Sequence, residues 1–219
     1  MIRAVLFDVD GTLLDTERIY VDAWKIAARE FGFELPEESL KRTRALDRNV
    51  AEKIFQSYVG ERFHYLEVWK RRVEISEEVI AAGTRPLVKP GVPEFLDWLD
   101  SRKIPYCIAS MTASEKTCSH LERAGLLDRF PVRVTGDEVT HGKPNPEIFL
   151  LAAKKLGVEP ADCAVFEDSY AGIQAAVNAG MLPIMIPDYV PAREQERACG
   201  VVLDSMLDAP AVLADRCGE

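Results

Sequence analysis

Two aspartates separated by one residue, Asp8 and Asp10, lie near the start of the chain in the segment VLFDVDGTLLDT. They follow the apolar run 4–7, which is typical of a buried parallel strand. Two like charges about 4 Å apart repel by roughly 4 kcal/mol at an effective dielectric constant of about 20. Oxygen ligands that repel each other in this way favour a hard divalent cation. The alternative is an acidic turn that merely follows a strand, since a short motif alone carries false positives.

The segment that follows these aspartates is predicted to be helical, because no strand pattern interrupts residues 17–83. Apolar residues recur at helical spacing from Ile19 to Phe31, and Gly32 is a typical stop. Further helices are predicted at residues 36–42, 49–58 and about 62–82. The pattern therefore predicts a helical insertion, residues 16–85, in a core made of residues 1–15 and 86–219.

From Pro90 onward, predicted helices and strands alternate along the chain. The predicted strands are 104–109, 132–135, 163–166, 182–186 and 201–203, and the predicted helices are 91–101, 114–124, 146–156, 170–179 and one from about 205. This alternation predicts a doubly wound parallel sheet with right-handed crossovers, an α/β fold of the Rossmann-like type. Ligands bind at the carboxyl ends of the strands in such sheets, so polar residues there are candidates for one site.

Residues suited to phosphate and metal chemistry follow several of these strands. Ser110 comes at the end of IPYCIAS, where a hydroxyl and nearby N–H groups can donate to a phosphate oxygen. Lys143 precedes a proline, which favours an extended backbone, and its ammonium can offset carboxylates or bind a phosphoryl group. Glu167 and Asp168 end another strand. Each alone is ordinary, since a loop serine or a surface lysine is common, but together they form an ordered set.

This set resembles the four motifs of the haloacid dehalogenase (HAD) superfamily. The segment DVDGT resembles the first motif, and Ser110 with Met111 resembles the second, in which Asn is frequent at the position of Met111. Lys143, in a Gly-Lys-Pro setting, and the segment FEDS resemble the third and fourth. The resemblance covers the whole chain and implies a catalytic core with an inserted cap.

The resemblance also implies a role for each motif residue. Asp8 is expected to accept a phosphoryl group as nucleophile, and Asp10 to act as general acid and then general base. Ser110, Met111 and Lys143 are expected to bind phosphate. The implied cofactor is Mg²⁺, held by Asp8, by the backbone carbonyl of Asp10 and by Asp168, with Glu167 either a direct ligand or one step behind.

The insertion resembles the small helical cap of the branch that includes phosphatases and β-phosphoglucomutase. Candidate substrate-binding residues in it are Thr16, Arg44 and Arg48, although two arginines simply facing water are an equally ordinary explanation. Glu77 and Glu78 occupy the region where the mutase has a cap lysine, which disfavours a mutase. The resemblance implies a closing cap that excludes water.

Three functions are therefore considered: a Mg²⁺-dependent phosphatase of a small phosphorylated metabolite, a sugar phosphate by preference; a phosphohexomutase resembling β-phosphoglucomutase; and a non-catalytic binding protein. The net charge of −9 argues against a nucleic-acid partner. No apolar run is long enough to span a membrane, and the early core strand argues against a signal peptide. Five scattered cysteines without a CxxC pair favour a cytoplasmic location and disfavour zinc. We expect a monomer.

Overall fold

The computed structural model describes residues 1–43 and 48–217. The chain divides into two compact units, one made of Met1–Asp15 with Leu87–Glu219 and the other of Thr16–Pro86. We call the first the core and the second the insertion. The functional division into a catalytic core and a cap stays a prediction. No helix in the described ranges has both the length and the apolar character needed to cross a membrane.

The insertion, as far as it is described, is helical. Its helices are α1 (Thr16–Glu30), α2 (Glu37–Arg42), α3 (Arg48–Val59) and α4 (Tyr65–Ala82). An aromatic cluster packs between them: the Trp24 ring lies 5.1 Å from that of Phe55 and 5.3 Å from that of Tyr65, centroid to centroid. Helix α4 begins three residues later than the sequence pattern predicts, and Phe63, before its start, is buried against Phe55.

The core contains a parallel sheet, with six strands in the described residues. The strands are β1 (Ala4–Phe7), β2 (Tyr106–Ser110), β3 (Arg133–Thr135), β4 (Cys163–Glu167), β5 (Leu182–Met185) and β6 (Val201–Val202). Their order is β3-β2-β1-β4-β5-β6, and every neighbouring pair is parallel. The predicted α/β fold is confirmed.

Helices cover both faces of this sheet: α5 (Val92–Ser101), α6 (Ser114–Arg123), α7 (Glu147–Leu156), α8 (Tyr170–Asn178), α9 (Glu194–Cys199) and α10 (Ala209–Ala214). Alternate residues of β1 point to opposite faces. Phe7 packs on one face with Phe95 of α5, and Leu6 belongs to the apolar cluster of the other face with Phe149 of α7. The sheet is therefore buried on both sides, as its apolar strands require.

Helix α9 is the element that the sequence pattern did not predict. Its six residues, EQERAC, contain a single buried residue, Glu196, so no apolar stripe marks it as a helix. The final helix also begins later than predicted, because a short 3-10 turn at Met206–Asp208 precedes α10. Both differences lie away from the strand ends that carry the candidate site.

The strand order reverses direction beside β1. The chain runs from β1 to β2 and β3 on one side, and then crosses to β4 on the other side of β1. Phe7 pairs with Phe166, and the Asp8 N–H donates to the Phe166 carbonyl at 3.0 Å. A reversal of this kind is the point where open α/β sheets bind ligands. The residues after β1 and β4 therefore lie where chemistry is expected.

Candidate active site

Lys143 ties the carboxyl ends of three strands together. Its Nζ lies 2.6 Å from Asp8 Oδ1 and 2.7 Å from Glu167 Oε1, and it donates to the Ala109 carbonyl at 3.2 Å. Asp8 follows β1, Glu167 ends β4, and Ala109 is the next-to-last residue of β2. The side chains of Lys143, Asp8 and Glu167 are all buried. A buried ammonium with two carboxylates and a carbonyl is well satisfied, so this arrangement is rigid.

Glu167 is held on both of its oxygens. While Oε1 faces Lys143, Oε2 accepts hydrogen bonds from Asp168 N, Ser169 N and Ser169 Oγ, each at 2.9 Å. A Cβ on Gly172 would lie 1.8 Å from Glu167 Oε1, so only glycine leaves room for this side chain. Glu167 was predicted either to bind the metal directly or to contact a residue that does. Because both of its carboxylate oxygens already accept hydrogen bonds from protein groups, the second role is favoured.

Asp10 is oriented by a residue whose role sequence reasoning missed. Thr112 Oγ1 donates to Asp10 Oδ2 at 2.7 Å, and Thr112 N donates to Ser110 Oγ at 3.2 Å. At the start of α6, Asp137 Oδ2 accepts a hydrogen bond from Ser114 N at 2.7 Å, so a different side chain serves that helix. The contact between Thr112 and Asp10 could have been predicted from the topology, because β1 and β2 are parallel neighbours and the loops that follow them lie side by side.

Carboxylates are concentrated at this edge. Lys143 contacts those of Asp8 and Glu167, and the Asp10 carboxylate helps to raise the pKa of Asp8. Asp168, buried next along the chain from Glu167, adds a further carboxylate at the same strand end. These oxygen donors fit a hard divalent cation.

A metal held by side chains alone does not fit this edge. No group of three or more His, Cys, Asp or Glu side chains in the described ranges is arranged to hold a metal ion. Mg²⁺ needs no such group, because it is usually bound by one or two carboxylates together with water and substrate phosphate. The residues present therefore fit Mg²⁺ better than a metal that requires a full set of protein ligands.

Burial perturbs both members of the central ion pair. Burial raises the pKa of Asp8 to about 7, and the Glu167 and Asp10 carboxylates add to this effect, while Lys143 opposes it. Burial alone lowers the pKa of Lys143, but the Asp8 and Glu167 carboxylates outweigh it and hold that pKa above its ordinary value. Asp8 therefore depends on neighbouring positive charge to carry its own negative charge.

Comparison with known proteins identifies the family. The family model described as haloacid dehalogenase-like hydrolase matches residues 2–180. The chain belongs to the haloacid dehalogenase-like hydrolases. This confirms the resemblance drawn from the four motifs, all of which lie within the matched residues.

Relatives in this family include named phosphatases and a mutase. The phosphorylated carbohydrates phosphatase of Thermotoga maritima is 35% identical over 181 residues, which is 82% of this chain and 82% of that protein. The β-phosphoglucomutase of Bacillus subtilis is 31% identical over 187 residues, covering 83% of this chain and 82% of that protein. The structure of a haloacid dehalogenase-like protein from Agrobacterium tumefaciens has a TM-score of 0.84 at 26% identity, covering 99% of both chains. The predicted enzyme class, a phosphoric monoester hydrolase, is confirmed.

The loop predicted to bind phosphate in this hydrolase packs against the loop after β3. Ser110 is buried, whereas the Met111 side chain is partly exposed. A Cβ on Gly136 would lie 2.3 Å from the Met111 carbonyl oxygen, and Gly136 N donates to the Thr112 carbonyl at 3.3 Å. Gly136 thus permits a close backbone approach that positions the loop after β2. The phosphate-binding roles of Ser110 and Met111 stay predictions.

The predicted substrate residues of the insertion differ in their surroundings. Thr16 begins α1 and is buried, whereas Arg48 begins α3 and is exposed. Arg44 lies outside the described residues, and the substrate-binding roles of Thr16, Arg44 and Arg48 stay predictions.

A cavity of about 170 Å³ lies within the insertion of this hydrolase. Aromatic side chains, among them Tyr20, Trp24 and Trp69, line it together with the carboxylate Glu17 and the cation Arg72. The Arg72 guanidinium lies 3.9 Å from the centre of the Tyr20 ring, within the range of a cation–π interaction. The cavity therefore combines flat aromatic surfaces with both a cation and a carboxylate.

Proposed function

We propose that this chain is a Mg²⁺-dependent phosphatase that hydrolyses a small phosphorylated metabolite, a sugar phosphate, through an aspartyl phosphate on Asp8. The observation that carries the proposal is the buried contact of Lys143 with both Asp8 and Glu167 at the switch point of the sheet. A carboxylate held beside an ammonium at this position is suited to attack phosphorus, and it needs no separate base.

The reaction takes place in two displacements. An Asp8 carboxylate oxygen attacks phosphorus in line, the bond from phosphorus to the leaving oxygen breaks, and Asp10 gives that oxygen a proton. Asp10 then removes a proton from a water molecule, which attacks the aspartyl phosphate. Inorganic phosphate leaves, and both aspartates return to their starting states.

Several neighbours prepare these two aspartates. The Thr112 hydroxyl donates to Asp10 Oδ2 at 2.7 Å and so orients that carboxyl for proton transfer. Lys143 offsets negative charge on the phosphoryl oxygens, and Glu167 holds Lys143 in place through its 2.7 Å contact. Preorganised donors of this kind contribute most of the barrier reduction in many enzymes.

Mg²⁺ would be held by Asp8, by the Asp10 backbone carbonyl and by Asp168. When bound, the ion neutralises charge on the transferring phosphoryl group and orients it for in-line attack. The carboxylates of Asp8, Glu167 and Asp168, all buried at neighbouring strand ends, support a divalent cation here.

The substrate class rests on a relative that is named for phosphorylated carbohydrates. The test is phosphate release from a panel of sugar phosphates, with and without EDTA. We expect release that EDTA abolishes and excess Mg²⁺ restores. Release that survives chelation contradicts the proposal.

A phosphohexomutase is the second candidate, favoured by the similarity to the Bacillus subtilis β-phosphoglucomutase. Against it, the insertion offers carboxylates where a cap lysine was sought: Glu78 lies 3.6 Å from Arg71 Nη1. Incubation with β-glucose 1-phosphate and a trace of the bisphosphate separates the two. A phosphatase releases phosphate rapidly, whereas a mutase yields glucose 6-phosphate with little free phosphate. The monomeric state and cytoplasmic location stay predictions.

A further inference from the structure

We propose that Lys89 is a positioning residue for Asp10, with Asp188 as its counter-charge, an inference that rests on the proposed function. Lys89 Nζ donates to the Gly11 carbonyl at 2.7 Å, across 78 residues of sequence. Gly11 directly follows Asp10, so this bond holds the carbonyl of the residue next to the expected general acid and base. No motif contains Lys89, and sequence reasoning did not single it out.

The backbone around Lys89 is fastened to the same loop. Lys89 N donates to the Leu13 carbonyl at 2.9 Å, and Asp15 N donates to the Leu87 carbonyl at 2.8 Å. An antiparallel bridge between Leu14 and Val88 lies between these two bonds. The origin of the Lys89 side chain is therefore fixed relative to residues 13–15, and the ammonium can set the direction of the Gly11 carbonyl.

Asp188 holds the ammonium in place from the other side. Its Oδ1 lies 3.3 Å from Lys89 Nζ, and the side chains of Lys89 and Asp188 are 14% and 3% exposed. Charged side chains this buried are almost always paired. Asp188 follows β5, where Ile186 N donates to the Glu167 carbonyl at 2.8 Å. The pair thus connects the end of β5 to the loop that carries Asp10.

The Gly11 peptide needs such a restraint because its backbone is in the left-handed region, with φ of 79°. A glycine there is not confined by a Cβ, so the direction of its carbonyl depends on the bonds it makes. Thr112 consequently holds the Asp10 side chain, and Lys89 holds the carbonyl of the next residue. Loss of the second restraint should misplace the proton-transfer group without changing its chemistry.

The test compares leaving groups in the Lys89→Met/Asp188→Asn double variant, which removes both charges of this ion pair together, so that neither is left buried without the other. With an alkyl phosphate, whose leaving group needs a proton, we expect kcat to fall by about 10²-fold with little change in KM. In single-turnover phosphorylation by p-nitrophenyl phosphate, whose leaving group needs little protonation, the loss should be several times smaller. The single variant Lys89→Arg, which keeps a cation beside Asp188, should have a higher kcat than the double variant.

A matched control is available on α7. Lys155 also donates from Nζ to a backbone carbonyl, that of Arg133 at 3.0 Å, and Lys155→Met should leave kcat unchanged. An equal loss with both leaving groups means that Lys89 is merely structural and overturns the proposal, as does the absence of any loss.

A second measurement does not depend on catalysis. Amide hydrogen exchange over residues 10–14 should be faster in the double variant than in the wild-type protein, and unchanged exchange overturns the proposal. Failure of the proposed function is recognised separately, as absence of phosphate release by the wild-type protein.

Discussion

The edge of the core sheet and the surface of the insertion carry their candidate residues in opposite ways. At the sheet edge, Asp8, Glu167 and Lys143 are buried and joined by contacts of 2.6 and 2.7 Å. In the insertion, Thr16 and Arg48 stand at the first positions of two different helices, one buried and the other exposed.

This difference separates chemistry from selectivity. Residues at parallel strand ends have their positions set by sheet register, so their types alone indicate what they do. Residues on helix surfaces acquire a role only through the substrate they meet. We therefore expect core substitutions to affect every substrate, and insertion substitutions to affect only substrates with a group beyond the phosphate.

The largest expected effect is that of Asp8→Asn. An amide cannot accept the phosphoryl group, so phosphate release should become undetectable with every substrate, while the circular dichroism spectrum stays unchanged. Asp162→Asn is the matched control on the same unit, because Asp162 forms partly exposed ion pairs with the N-terminus and Arg3. Measurable turnover by Asp8→Asn with any substrate would contradict the assignment of the chemistry to the buried residues of the sheet edge.

Asp10→Asn should lower kcat by roughly 10²–10⁴-fold, the usual contribution of general acid–base catalysis. The amide can still accept the 2.7 Å hydrogen bond from Thr112, so the loop should keep its place. Steady-state kinetics with an alkyl and an aryl phosphate measure the effect. A decrease confined to KM would remove Asp10 from the chemistry.

Arg44→Ala and Arg48→Ala should act on selectivity alone. A lost charge-assisted hydrogen bond costs about 1.5–3 kcal/mol, which is roughly a 10- to 150-fold loss of kcat/KM for the preferred sugar phosphate. The loss should be small for p-nitrophenyl phosphate, which has no distal group. Arg62→Ala, an exposed arginine of the same unit, is the control.

The two possible failures of this prediction have different meanings. Equal losses with both substrates assign the arginines to structure, and no loss assigns them to the solvated surface. Either outcome would contradict the proposal that the core carries out the chemistry and the insertion selects the substrate.

The smallest expected effect is on stability. At Gly172, replacement by alanine should change the free energy of unfolding in the direction opposite to the usual one. Alanine in a helix normally stabilises relative to glycine by roughly 0.5–1 kcal/mol. Here its Cβ would lie 1.8 Å from Glu167 Oε1, so Gly172→Ala should destabilise the protein, by about 1–3 kcal/mol.

The same substitution in a Glu167→Ala background should stabilise the protein instead, because the clashing oxygen is gone. Urea unfolding of the wild-type protein, the two single variants and the double variant gives the four free energies of unfolding. Destabilisation in both backgrounds would show that Glu167 is not what requires glycine.

Much of the fold and the site was predictable because local patterns mark them. The apolar run before Asp8 predicted β1, and Gly32 marked the end of α1. Polar residues after those strands then had to meet at one edge. Lys143 could be placed only through the family resemblance, since a lysine before a proline is otherwise an ordinary loop residue.

Other features depend on contacts that no local pattern contains. The bond from Thr112 to Asp10 joins residues 102 positions apart, and that from Lys89 to Gly11 joins residues 78 apart. Only the strand order brings these loops together. Helix α9 was missed for a different reason: it has one buried residue, so amphipathic periodicity is absent.

The most direct test of the central claim is to trap the phosphoryl group on Asp8. The Asp10→Asn variant should form the covalent intermediate and discharge it slowly. After incubation with a substrate carrying a radiolabelled phosphoryl group and an acid quench, we expect label on the peptide that contains Asp8, released by hydroxylamine. Phosphate release without any label on that peptide would contradict covalent catalysis by Asp8.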